Sequence, residues 1–133
     1  MDVIFLLGRI LFGALFLAAA MGHLTQTASM AQYASSRGVP MATLATRVTG
    51  VQILVGGLMV ILGVWGDLGA IVLVAFLLPT AVLMHAFWRE SDPMTKQMEM
   101  VQFNKDVALA GGALAIFWTF SHDVGLTVTG PLL

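Results

Sequence analysis

Four apolar runs constrain this chain more than any other feature. Each is near the ~20 residues an α-helix needs to cross ~30 Å of hydrocarbon at ~1.5 Å per residue. The first covers Val3 to Gly22 and contains Arg9. The second covers Met41 to Val64, with Arg47 near its start and Gln52 inside. The third covers Leu68 to Trp88 and holds Pro79 and His85. The fourth covers Val107 to Phe120, extended backwards through Phe103 and Asn104. None alternates polar and apolar residues with period two, so a transmembrane β-barrel fits poorly. The chain carries 59% hydrophobic and only 10% charged residues in 133, against ~25% charged in a soluble domain. A single small core cannot hide that much apolar surface. The expected fold is an all-α integral membrane protein lying in the lipid bilayer. It is an antiparallel bundle of four transmembrane helices, approximately 3–24, 41–64, 67–88 and 98–120, forming one domain over 1–133.

Composition removes several function classes. A net charge of −1 provides no basic field for nucleic acid. Zero cysteines remove disulfides, Fe–S clusters, thiolate zinc sites and cysteine nucleophiles together. The nine methionines are scattered, which gives copper transport little support. No Ser-His-Asp arrangement or phosphate loop is present.

The connections add detail. Only Trp65, Gly66 and Asp67 separate the second and third runs, which forces a tight antiparallel hairpin. Thr25 to Pro40 is long for a helix–helix connection. Its mixture of Met30, Ala31, Tyr33 and Ala34 with Gln32, Ser35 and Ser36 suits a short amphipathic helix on the membrane surface, stopped by Gly38; a plain flexible loop is the alternative. Asp92-Pro93 ends the irregular segment before the fourth helix. Ala18-Ala19-Ala20 resembles a signal-peptide cleavage site. No positively charged region precedes the first run, however, so a retained helix is expected.

With four spans, Arg37, Arg47, Arg89, Lys96 and Lys105 share one side. Arg9 falls on the other with Asp2, Asp67 and Asp123. The positive-inside rule places the cation-rich side in the cytoplasm and both termini outside it, in the plasma (inner) membrane of a prokaryote. Small residues at four-residue spacing suggest close helix packing: Ala14, Ala18 and Gly22 in helix one, Ala108 and Gly112 in helix four, and Gly50, Gly56, Gly57 and Gly63 in helix two. Packing within one bundle and a homo-oligomer interface are the two uses of such faces.

Ionisable groups within a membrane are costly and face the protein interior. Asp67 is the best-placed ion-pair partner of Arg9, with snorkelling to headgroups as the alternative. On the cytoplasmic side, His23, Gln52, His85, Lys105 and Asp106 come from four different helices at similar depth. Trp88, Phe87 and Phe103 are expected to wall the space between them. Three uses are open. The groups cap helix ends and satisfy one another; they bind a quinone or lipid, with imidazole suited to proton-coupled chemistry; or the two histidines ligate haem or a metal. The haem and metal readings have the least support, and no metal ligand is assigned.

Three stretches together resemble the DoxX family of small bacterial and archaeal membrane proteins. The first is Leu7-Gly8-Arg9-Ile10-Leu11-Phe12-Gly13, running on to Gly22-His23-Leu24. The second is Tyr33 through Gly38-Val39-Pro40, then Gly56-Gly57 and Leu62-Gly63. The third is His85-Ala86-Phe87-Trp88, then Gln97, Phe103, Lys105, Ala108, Leu109, Ala110, Gly111 and Gly112. Two positions depart from the pattern. Family members often carry a glutamate three residues before the helix-two glycine pair, where this chain has Ile53 beside Gln52. They usually have asparagine where this chain has Asp106. The family is named after a subunit linked to thiosulfate:quinone oxidoreductase, so the resemblance implies association with membrane redox assemblies.

Three functions of different class follow. The first is an accessory or anchor subunit, partnered with other membrane-complex subunits, of a quinone-linked oxidoreductase. The second is a quinone- or haem-binding redox protein in its own right, using the His/Asp/Lys cluster. The third is a homo-oligomeric channel or transporter, which would need polar residues along a whole helix face; helices one, two and four lack them.

Overall fold

The computed structural model describes residues 1–122 and 124–133. Asp123, assigned above to the cation-poor side, lies outside the described residues. The described chain is all-helical and contains no strand. Its helices are α1 (Asp2–Thr25), α2 (Thr27–Ser36), α3 (Ala42–Leu62), α4 (Gly66–Met84) and α5 (Pro93–Phe120), with a 3₁₀ turn at Phe87–Arg89 between the last two. Among the described residues, three segments are long and apolar enough to cross a membrane: Asp2–Thr25, Ala42–Leu62 and Gly66–Arg89. The polar first half of α5, which runs on through Asn104, Lys105 and Asp106, keeps that helix out of this set.

The connection between the first two long helices folds as a short helix, α2, rather than a plain loop. One residue, Gln26, separates it from α1, and its N–H still reaches Gly22 O at 2.9 Å. Gly38, at φ +84°, turns the chain out of α2. Gly63 closes α3 at φ +65°. An added Cβ there would lie 2.7 Å from Arg9 Nη1 and 2.8 Å from Thr127, so both conformation and space demand glycine. The helix ends differ from expectation at two points. α4 stops at Met84 rather than near residue 88, because the chain tightens into the 3₁₀ turn. α5 begins at Pro93 rather than near residue 98, because Asp92 Oδ2 accepts the Thr95 N–H and hydroxyl, each at 2.8 Å. Those bonds hold the Asp92 carboxyl below the usual carboxylate range and satisfy one of the helix's orphan donors.

Phe16, Ile53, Val60, Leu73 and Leu77 form the core, with Ala20 and Ala110. α3 packs between α1 and α4, and α5 packs on α4. α5 also reaches α1, since Gly112 faces Phe12 and the Phe5 and Phe120 rings meet edge to face at 5.1 Å. The small-residue faces are not all those expected. Ala14, Ala18 and Ala108 point outward. The close approaches run instead through Gly13 against Ile61 and Gly57, Gly56 against Leu73, and Gly69 against Met59. Burying Gly13 and Phe16 puts positions 14 and 18 on the opposite side of the helix.

Residues 126–133 cross the end of the molecule where α3 turns into α4. Val128 and Thr129 donate N–H groups to Leu62 O and Gly63 O at 3.2 and 3.0 Å. Thr129 Oγ1 accepts the Trp65 N–H at 2.8 Å. Arg9 and Asp67, both buried, each hold this strap rather than one another. Arg9 Nη2 donates to Leu126 O at 2.6 Å, and Asp67 Oδ2 accepts from Leu132 N and Leu133 N at 2.8 and 2.6 Å. No Arg9–Asp67 ion pair forms among the described residues. The C-terminal backbone competes for both groups, its Leu126 carbonyl for Arg9 and its Leu132 and Leu133 amides for Asp67. Arg9 does not snorkel either, because it lies under the Phe5 and Phe120 rings at 5.3 and 5.4 Å.

Candidate functional site: a cavity beside a charged network

At the other end of the molecule, residues of α1, α2, α3, α4 and α5 line a cavity of about 530 Å³. Leu15 and His23 both line it, which at ~1.5 Å per residue gives a depth of roughly 12 Å along α1. Its deeper wall is apolar, from Leu15, Phe16, Phe76 and Leu77. Pro79 also lines it; lacking an N–H, it leaves the Ala75 carbonyl without its helical donor.

Five of the six residues assigned to this cluster from sequence line the cavity: His23, Gln52, His85, Lys105 and Asp106. Trp88 does not. The end of α4 at Met84 puts Trp88 in the 3₁₀ turn, where it stays 49% exposed and packs against Phe87 and Phe103 at ring-centroid distances of 5.2 and 5.7 Å. These three aromatics form an outer patch rather than the cavity wall.

The electrostatic centre of the site is Glu99, which sequence reasoning missed. Its Oε1 accepts from the Tyr33 hydroxyl at 2.5 Å and pairs with Arg37 Nη2 at 2.7 Å. Its Oε2 accepts from His85 Nδ1 at 2.7 Å. Arg37 also pairs with Glu90. Burial alone would lower the Arg37 pKa, but its bonds to Glu90, Tyr33 and Glu99 outweigh that and raise it. Burial and the Glu99 carboxylate push the Tyr33 phenol up, so it stays a hydrogen-bond donor. The spacing contained a signal for this arrangement. Tyr33 and Arg37 are four residues apart, on one face of α2 extended by a turn. Glu99 and Asp106 are seven apart, on one face of α5.

His85 lies between two carboxylates. Its Nδ1 donates to Glu99 Oε2, and its Nε2 is 3.6 Å from Asp106 Oδ2. Asp106 is 3.5 Å from Lys105 Nζ, which donates to Gln102 Oε1 at 2.6 Å. With both ring nitrogens facing carboxylates, His85 is badly placed to ligate haem or a metal. Among the described residues no group of three His, Asp or Glu side chains is arranged to hold a metal ion. The chain Tyr33–Glu99–His85–Asp106 thus runs from α2 to the cavity wall, with a carboxylate facing each nitrogen of the imidazole.

Tyr33→Phe removes one donor to a charged acceptor and should cost ~1.5–3 kcal/mol. The fall should appear in thermal stability, with faster hydrogen exchange confined to α2. Unchanged exchange in α2 would mean the bond does not hold that helix.

No curated relative and no solved structure shows significant similarity to the chain. The DoxX family model matches residues 4–86. That span runs from the start of α1 past the end of α4 and includes His23, Gln52 and His85, while the carboxylates of α5 lie beyond it. The match covers well over half of the sequence, and the chain belongs to the DoxX family.

Proposed function

We propose that this chain is a four-span membrane subunit that holds a quinone for a membrane-bound oxidoreductase assembly, with the electron donor on another chain. In this reading α5 makes the fourth crossing of an antiparallel bundle. The Arg37, Arg47, Arg89, Lys96 and Lys105 end faces the cytoplasm of a prokaryote, and both termini lie outside it. The single observation that carries the reading is the cavity, a mainly apolar pocket with the His85–Asp106 pair on its wall. Its volume of about 530 Å³ falls within the ~300–1,000 Å³ typical of small-molecule sites. An apolar wall suits a ring and an isoprenoid tail. The His85–Asp106 pair offers polar contacts and a proton where a quinone oxygen would sit. A quinone couples electron transfer to proton uptake, and the route through Glu99 provides a path from the surface for those protons.

The test is purification from native membranes in a mild detergent, followed by organic extraction and mass spectrometry of co-purifying chains. About one quinone per chain, together with a redox subunit, is the expected result. A preparation without quinone, and unable to take one up, would overturn the binding role. Recovery of quinone without any partner would favour the stand-alone carrier.

A further inference from the structure

Two pairs of neighbouring helices part at the level of the cavity. Deeper in the bundle α3 and α4 touch: an added Cβ at Gly69 would lie 2.6 Å from Met59 Cβ, and Gln52 Nε2 donates to Val72 O at 3.1 Å. Beyond that bond, towards the cation-rich end, Ala45 and Thr49 of α3 and Phe76, Pro79, Thr80 and Leu83 of α4 all line the cavity. This gap reaches the outer surface of the bundle. Ala75 and Pro79 are exposed, Ala45, Thr49 and Thr80 are half-buried, and Leu83 is 48% exposed. Pro79 stands in this stretch, and a proline ring inside a helix clashes with the carbonyl four residues back and bends the helix.

α1 and α5 part in the same way. Phe12 lies against Gly112, and further on Leu15, Ala19 and His23 of α1 line the cavity with Asp106, Lys105 and Gln102 of α5. The two gaps differ in charge. The α1–α5 rim carries Lys105, whose side chain is 49% exposed and whose Nζ donates to Gln102 Oε1 at 2.6 Å. None of the α3 and α4 residues named at the other rim is charged. The Thr49 hydroxyl there is turned to its own helix, donating to Ala45 O at 2.8 Å. Both α3 and α4 belong to segments apolar enough to cross a membrane, so in the four-span reading this uncharged rim faces acyl chains.

We propose that a quinone bound in the cavity sends its isoprenoid tail out between α3 and α4 into the bilayer, with Ala45 and Leu83 flanking the exit. This inference rests on the quinone reading above. A cavity of this volume holds a substituted ring, and a long tail has to leave it. A hydrocarbon chain passing Lys105 would strip water from an ammonium group and return no hydrogen bond. One passing Ala45, Pro79 and Leu83 buries apolar surface against apolar surface. The ring keeps its polar edge at His85 and Asp106 while the tail stays in lipid. The ligand is therefore exchanged sideways with the bilayer and not with water.

The experiment is equilibrium dialysis of the full chain in a mild detergent against ubiquinone-0, which has no tail, and ubiquinone-2, which carries a short isoprenoid tail. Each variant is compared with the wild type for the same ligand, so that partition into detergent cancels. Ala45→Trp narrows the exit and should weaken ubiquinone-2 binding roughly tenfold, the scale of forcing bulk into occupied space. Ubiquinone-0 should bind as it does to the wild type. Leu83→Trp, across the exit and already exposed, should act in the same direction, and it serves if Ala45→Trp fails to fold. Leu15→Trp narrows the α1–α5 gap instead and should leave both ligands unchanged. Selective loss of ubiquinone-2 in Leu15→Trp would put the tail in that gap and overturn the proposal. Unchanged ubiquinone-2 binding in the folded α3 and α4 variants would overturn it as well. So would an equal loss of both ligands in them, which would make these residues contacts of the ring. Binding of ubiquinone-0 by the wild type keeps the quinone reading standing through each of these outcomes. Binding of neither ligand would remove that reading and this inference together.

Discussion

Replacing Glu99 with alanine is expected to destabilise the protein by ~3–5 kcal/mol, the range for removing one partner of a buried ion pair. Three side chains lose their acceptor at once: the Tyr33 hydroxyl, Arg37 Nη2 and His85 Nδ1. Arg37 keeps Glu90, so α2 loosens without being released from that contact. Glu99→Gln preserves an oxygen for Tyr33 but loses the charge that Arg37 and His85 face, and should fall between alanine and the wild type. Thermal unfolding in detergent gives the order. Hydrogen exchange should place the largest change in α2 and in the first turns of α5. A loss under ~1 kcal/mol for Glu99→Ala would show that α2 is held by the apolar contacts its own Met30 and Ala34 make with the rest of the bundle and not by the network.

The second large effect concerns binding and leaves stability nearly unchanged. Ala19 lines the cavity on α1, and Ala19→Phe places a phenyl ring in space that the protein leaves open. Overpacking a filled core costs ~1–3 kcal/mol; entering a void should cost less, so the thermal midpoint should hardly move. Quinone binding should fall by more than roughly a hundredfold, about 2.7 kcal/mol. A well-folded Ala19→Phe protein that binds quinone normally would show that the ligand sits elsewhere.

The contrast between these two substitutions reflects what the sequence could and could not reveal. Apolar runs, the Trp65–Asp67 hairpin and the stop at Gly38 were legible because each depends on local composition and turn chemistry. The gathering of His23, Gln52, His85, Lys105 and Asp106 was legible because antiparallel helices bring alternate ends to one side. Glu99 was not, because it sits in the polar stretch Gln97 to Phe103, which reads as an interfacial first turn or two of the helix. Only the approach of Tyr33 and Arg37 from a separate helix makes it an interior group. Trp88 was misplaced for a related reason: hydropathy continues through residue 88, while the helical hydrogen bonds stop at Met84. Arg9 and Asp67 were paired by charge alone. Backbone groups of residues 126–133 carry no formal charge, so a count of charges could not find them as partners.

The inner position of the ligand is the claim on which the account depends. Photolabelling with an azido-quinone in native membranes, followed by peptide mass spectrometry, tests it most directly. The account predicts adducts on the α1 and α4 segments that line the cavity, Leu15 to His23 and Ala75 to Met84. These should disappear when excess unlabelled quinone competes, and should be absent from Ala19→Phe. Adducts confined to outward residues such as Leu11 and Trp118, which are 76% and 64% exposed, and undiminished by competitor would contradict it.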